Sequence, residues 1–182
     1  KTMKRLLLLL TLDLSFIISF AQGIPFLRNY LANEYHANDI NFDIKTGKAG
    51  NIYIANFEGL LFYDNEDWHM IHTPGNSRVT VAYLDKDSVI WAGGYNFFGR
   101  ISASHNGQPY LKRAGRLDTF RGEVLEIWEK DDQLFFVVND GKVYEVKDDS
   151  VFGSKVISSE PLHIGLTDIV LTEAIDNENK ND

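Results

Sequence analysis

Asn51-Ile-Tyr-Ile-Ala-Asn-Phe-Glu-Gly-Leu-Leu-Phe-Tyr-Asp64 is an apolar run, a turn with a glycine, and a second apolar run. The pattern returns as Ser88-Val-Ile-Trp-Ala-Gly-Gly-Tyr-Asn-Phe-Phe-Gly-Arg-Ile101, and again as Gln133-Leu-Phe-Phe-Val-Val-Asn-Asp-Gly-Lys-Val-Tyr-Glu-Val146. Matching Ala55 to Ala92 gives an offset of 37 residues, and matching Gly59 to Gly141 gives 82, so the second interval is 45. A period of about 40–50 residues built from short strands marks propeller blades. Such a repeat cannot bury its own faces, so the stretch predicts an array packed face to face.

Each repeat reads as four strands. The first runs Ile40–Lys45, Asn51–Asn56, Leu60–Asp64 and Trp68–His72; the second Val79–Leu84, Val89–Gly93, Phe98–Ser102 and Tyr110–Arg113. The third runs Val124–Glu129, Leu134–Val138, Lys142–Val146 and Val151–Ile157. Turn-forming residues separate the strands, as in Gly47-Lys-Ala-Gly50, Asp85-Lys-Asp-Ser88 and Lys130-Asp-Asp132. The second strand of every repeat is apolar on both faces, which suits burial between two neighbours, whereas a sheet with one wet face would alternate. The fourth strands, Trp68–His72 and Tyr110–Arg113, are more polar, as an outer edge requires.

The expected fold is therefore all-β, an incomplete propeller of about three four-stranded antiparallel blades over residues 39–160. A lead-in, residues 22–38, precedes them, with a short helical turn expected over Phe26–Leu31. Residues 161–182 read as the start of a fourth blade, with Ile169-Val-Leu171 as a strand, and a polar tail. Three blades do not close a ring, which takes about four to eight. Either further blades follow or copies self-associate, because soluble proteins rarely expose large apolar faces.

The amino terminus has a short basic region, Met3-Lys4-Arg5, then a mostly apolar run from Leu6 to Phe20, then Ser19-Phe-Ala21 with small residues at −3 and −1. Residues 1–21 thus read as a secretory signal peptide cleaved after Ala21, which predicts a periplasmic location. The alternative, an uncleaved anchor, is disfavoured by the length of the run and by Asp13 within it. Lys1-Thr2 ahead of Met3 reads as a start upstream of the true first codon, or as a fragment.

Net charge is −8, and −10 without residues 1–21, so the segment repels phosphate backbones and nucleic acid is not an expected partner. There is no cysteine, which excludes disulfides, thiolate metal sites and thiol nucleophiles.

The repeats resemble those of the two-component regulator propeller family. The resemblance rests on Asn51-Ile-Tyr-Ile-Ala-Asn followed by Gly59-Leu60 and Tyr63-Asp64, on Asp87-Ser-Val-Ile-Trp-Ala-Gly-Gly94 with Asn96 where a turn glycine is expected, and more loosely on Gln133-Leu-Phe-Phe-Val-Val and Gly141. Residues 23–99 also resemble the start of periplasmic sensors of gut Bacteroidetes. What that implies is a signal peptide, many blades, a triple-tyrosine domain, one membrane span and a cytoplasmic output domain, either a histidine kinase or a DNA-binding helix-turn-helix.

Chemistry is sparse. His69-x-x-His72 is the nearest approach to a metal pair, but residues three apart on a strand face opposite sides. His36, His105 and His163 are isolated, and Asp64-Asn-Glu-Asp67 lacks the calcium-loop spacing. No nucleophile elbow, catalytic set, metal site or cofactor motif is found. Asp85, Asp87, Glu123 and Glu126 are the carboxylates that glycoside hydrolysis would need to bring together, and Glu126 is read as a polar residue near the central axis. The loop Gly93–Gly99 offers the candidate ligand contacts Tyr95, Asn96, Phe97 and Phe98, whose rings suit a sugar or aryl face; the alternative is that these aromatics fill the gap between blades. The function that follows is a non-enzymatic, extracytoplasmic sensor segment of a signalling regulator, with a small-molecule or oligosaccharide ligand. The alternatives are a secreted propeller lyase or glycosidase, and a module for self-association.

Overall fold

A computed structural model describes residues 3–4, 27–116, 121–147 and 149–156. The chain divides into two units, residues 1–30 and 31–182. In the first, the Arg28 guanidinium lies over the Tyr30 ring, 4.5 Å from its centroid. The signal-peptide core and cleavage point, the strand expected at Ile169–Leu171 and the polar tail lie outside the described residues.

Among the described residues of the second unit, a helical turn, α1 (Ala32–Tyr35), precedes twelve strands. The turn is not where the sequence placed it: Leu27–Leu31 are not helical, and α1 begins one residue later. There Glu34 takes the backbone N–H of Leu31 at 2.7 Å, and His36 ends the turn in the left-handed region.

The strands are β1 (Asn41–Thr46), β2 (Ile52–Asn56), β3 (Gly59–Tyr63), β4 (Trp68–Ile71), β5 (Val79–Leu84), β6 (Ile90–Gly94), β7 (Phe97–Ala103), β8 (Pro109–Arg113), β9 (Val124–Lys130), β10 (Gln133–Val138), β11 (Lys142–Lys147) and β12 (Ser150–Val156). They form three antiparallel four-stranded meanders in sequence order, β1–β4, β5–β8 and β9–β12. All twelve coincide with the strands expected from the sequence to within a residue at either end, over the described residues. The reason is physical: each apolar run is bounded by residues that turn cheaply. Gly59 has φ +147°, and a side chain there would meet the Ile71 carbonyl. Asn96 is not the counterpart of that glycine, since Gly59 answers Phe97 in the register, but it turns the β6–β7 hairpin with a left-handed φ of 54°, which asparagine tolerates.

The register corrects the first repeat interval. Asn41 pairs with Asn56 and Val79 with Gly94, so Asn56 answers Gly94, thirty-eight residues on rather than thirty-seven. Ala55 therefore corresponds to Gly93, and Ala92 to Ile54. A one-residue slip moves a strand's side chains to the opposite face. Accordingly Ala55 faces the second sheet, whereas Ala92 faces back toward the first.

The repeat extends to an irregularity. The first strand of every sheet carries a bulge at the same place, at Phe42, Thr80 and Leu125. The first and second sheets close on Ala55, Leu60, Ile71, Val79, Ala82, Ile90, Ala92, Phe97 and Leu111. The second and third close on an aromatic cluster of Trp91, Phe98, Phe136 and Tyr144, with Val124, Ile127 and Leu134 around it. β6, between both neighbours, is buried along its whole length. On the far side of the first sheet Ile44 is 58% exposed.

Candidate functional site

The register gathers one set of loops at one end of all three sheets. Leu60 pairs with Ile71, so the chain leaves β4 beside the β2–β3 hairpin. It enters β5 at Val79, opposite Gly94, beside the β6–β7 hairpin. The connector Arg113 to Val124 bridges the second and third sheets at the same end, because Val124 pairs with Val138. The face so formed carries the hairpin tips Phe57-Glu58, Tyr95-Asn96 and Asn139-Asp140, and the connectors between the blades.

Two aromatic rings stand on this face. Phe57 is 44% exposed and Tyr95 is 47% exposed, and they hold the same place in successive repeats. Between them runs the connector His72–Arg78. A shallow groove beside Phe57 is lined by Asn38, Glu58, His72 and Asn76. His72 donates from Nδ1 to the Glu58 carbonyl at 2.9 Å, which in the neutral ring leaves Nε2 an acceptor. The Arg78 guanidinium lies over the Tyr95 ring at 5.3 Å. It is ion-paired with Glu123, whose bond raises the arginine further above its ordinary range.

Of the candidate contacts read from the sequence, the structure brings only Tyr95 to this surface as an exposed ring. Phe97 and Phe98 are each 1% exposed, on opposite sides of β7, Phe97 toward the first sheet and Phe98 toward the third. Asn96 ties the blades: its N–H donates to Gly122 O at 2.7 Å, and its Oδ1 accepts from Gly122 N–H at 2.8 Å. Arg113 also donates to the Asn96 carbonyl at 2.8 Å, and burial pushes that guanidinium below its ordinary range. Phe57 was missed from sequence; the signal was its equivalence to Tyr95, visible only at an offset of thirty-eight.

The carboxylates do not converge. Asp85 sits in the β5–β6 turn, accepting from Val89 N–H at 2.8 Å and Trp91 Nε1–H at 2.9 Å. Glu123 is at the opposite end of the sheets, against Arg78, and Glu126 lies within β9. His69 contacts Asp64 at 2.8 Å while His72 bonds Glu58, so the two histidines serve separate partners. Asp64 closes its own turn by accepting from the N–H groups of Asp67 and Glu66, which with His69 hold its carboxyl at about 2. Among the described residues no three histidine, aspartate or glutamate side chains gather as a metal site.

Sequential four-stranded meanders packed face to face define a segment of a β-propeller. No family model matches the chain, and no curated protein matches it significantly. Solved structures do match. The extracellular domain of a protein from B. thetaiotaomicron, named as a one-component system, is similar with a TM-score of 0.55 and 17% identity over 75% of this chain. The mitotic checkpoint complex contains a chain that is similar with a TM-score of 0.50 and 10% identity over 78% of this chain. This chain spans 20% of the length of the first and 48% of the second. Among the described residues no helix is long and apolar enough to cross a membrane.

Proposed function

We propose that this chain is an extracytoplasmic, ligand-sensing propeller segment of a signal-transduction regulator, exported to the periplasm by residues 1–21, and that it is not an enzyme. The observation that carries the reading is the fold shared with the extracellular domain of a one-component system, over three quarters of this chain. The hairpin-tip face is the ligand surface. Phe57 and Tyr95 offer flat apolar platforms, and Asn38, Glu58, His72 and Asn76 border one of them with hydrogen-bonding groups. Aromatic platforms with a polar border suit a ligand that has an apolar face and a hydroxylated rim, as an oligosaccharide has.

Calorimetric titration of the purified chain with an oligosaccharide panel tests this. Binding is expected, weakened about tenfold by Phe57→Ala or Tyr95→Ala, the scale of one lost ring contact. Absence of binding to the whole panel, or binding that ignores both substitutions, removes the reading. The same samples are assayed for new reducing ends or unsaturated products. Sustained turnover would replace the sensor with a secreted polysaccharide lyase or glycosidase.

A further inference from the structure

We infer that the β6–β7 hairpin tip, Tyr95-Asn96, is an anion subsite of the hairpin-tip face, and that the oligosaccharide taken there is acidic, its carboxylates held by Arg78 and Arg113. The inference rests on the ligand-sensing reading above and narrows it to sugars that carry uronic acid.

The fold brings two arginines to one tip. Arg78 precedes β5 and Arg113 ends β8, and these are the two edge strands of the second sheet. The arginines therefore flank the hairpin that β6 and β7 make between them. Arg78 takes the Tyr95 N–H on its carbonyl at 3.2 Å and lays its guanidinium over the Tyr95 ring. Arg113 donates from Nη1 to the Asn96 carbonyl at 2.8 Å, with its guanidinium 5.3 Å from the Phe97 ring centroid.

Neither guanidinium is filled. Arg78 reaches Glu123 through Nε, and its two terminal nitrogens bond no group among the described residues. Arg113 meets no carboxylate among the described residues: its hydrogen bond goes to a backbone carbonyl, and its Nε is buried without an acceptor. Burial with no acid beside it is what moves this guanidinium below its ordinary range. A buried cation keeps its desolvation cost until an anion meets it. Arg100 shows the alternative, its fork filled by both oxygens of Asp149.

One carboxylate, Glu123, thus faces two guanidinium groups at this tip, on a chain whose net charge is −8. The neighbouring tips are of the other sign. Glu58 stands beside Phe57 on the first, and Asp140 on the third is bonded by Lys142. An anion approaching the face is steered to the second tip. The guanidinium fork matches the two oxygens of a carboxylate, and the half-exposed Tyr95 ring lies beside it. A uronic acid residue carries both a sugar ring and a carboxylate.

Calorimetric titration with a galacturonic acid trimer, and with the same trimer methyl-esterified, tests this. The ester keeps the rings and most hydroxyls and removes the charge. At low salt the acid is expected to bind at least about tenfold tighter than the ester. The double variant Arg78→Met/Arg113→Met should bring the acid down to the level of the ester and leave the ester unchanged. Lys48→Met, in the exposed β1–β2 turn at the opposite end of the first sheet, controls for net charge and should keep the preference. Equal binding of acid and ester overturns the inference, and the oligosaccharide reading survives because uncharged rings still bind. A preference that persists in the double variant, or that Lys48→Met erases, also overturns it and leaves that reading standing. Binding of neither trimer overturns it as well, and the neutral members of the panel then decide the sensor reading separately. The comparison of acid with ester needs no substitution, so it decides the matter should the double variant fail to fold.

Discussion

The two interfaces between neighbouring blades are filled with different chemistry. Between the first and second sheets the contact is dry and fine-grained, built on alanines at 55, 82 and 92 with Leu60, Ile90 and Phe97. Its polar link is Asp43 to the Ala82 amide. Between the second and third sheets large rings do the packing. Phe98 stacks on Phe136 at 4.7 Å, with Trp91 and Tyr144 each 5.9 Å from one of them. Charge rings that aromatic core. Arg78 pairs with Glu123, Arg100 grips Asp149 with both nitrogens of its fork, Lys112 adds a second cation to Asp149, and Lys86 reaches Asp132. The difference teaches that one fold does not dictate how the space between its blades is filled. The spacing can be filled by small side chains brought close, or by rings surrounded by ion pairs, and the two respond differently to acid.

The largest expected effect is on the aromatic interface. Phe136→Ala removes a fully buried ring and should lower unfolding free energy by about 3–5 kcal/mol, with Leu60→Ala in the dry interface costing about 2–5 kcal/mol. Urea denaturation of both tests this, and equal, small losses would erase the contrast. Next is Gly93→Ala. The added carbon would lie 2.5 Å from Val124 Cγ1, so the third sheet must yield, at about 1–3 kcal/mol. Val124→Ala in the same chain should recover part of that loss, whereas a purely backbone effect would not be recovered.

Asp149 sharpens the comparison through pH. Arg100 first, then Lys112, hold its carboxyl down at about 2, below the ordinary 3.8. A depressed carboxylate stabilises the fold above its unfolded value, and the contribution fades as pH falls from about 4 toward 2. Asp149→Asn should therefore cost about 1–2 kcal/mol near neutrality, because the carboxylate is 15% exposed but its cations are partly solvated. The cost should vanish near pH 2, while the penalty of Leu60→Ala persists at both. Thermal melts across that range check it. Smallest of all is Lys86→Ala. Both partners of the Lys86–Asp132 pair are over half exposed, and the melting temperature should not move measurably.

The blades were legible because their signals are local: apolar runs, turn residues and short loops recur within each repeat. Their phase was not. Ala55 and Ala92 look like the same residue of two repeats, yet one points forward and the other back, and only the register separates them. The ion pairs at the second interface join residues thirty-seven or more positions apart, where nothing in the chain's local pattern links a cation to its acid. The candidate surface was half legible. Consecutive aromatics at 95, 97 and 98 announced a ring-rich loop, but strand alternation sends Phe97 and Phe98 into different cores, and β7 begins only after Tyr95.

The bulges at Phe42, Thr80 and Leu125 reach beyond packing. Each sets one residue out of the ladder at the same place in a first strand, so the three blades run on from it in the same phase although the connectors before them differ in length. The connectors here differ: seven residues join β4 to β5, and ten join β8 to β9. A segment copied from bulge to bulge carries its own phase with it. Gene duplication can then lengthen or shorten such a chain by whole blades, and no residue of the existing ones need change sides.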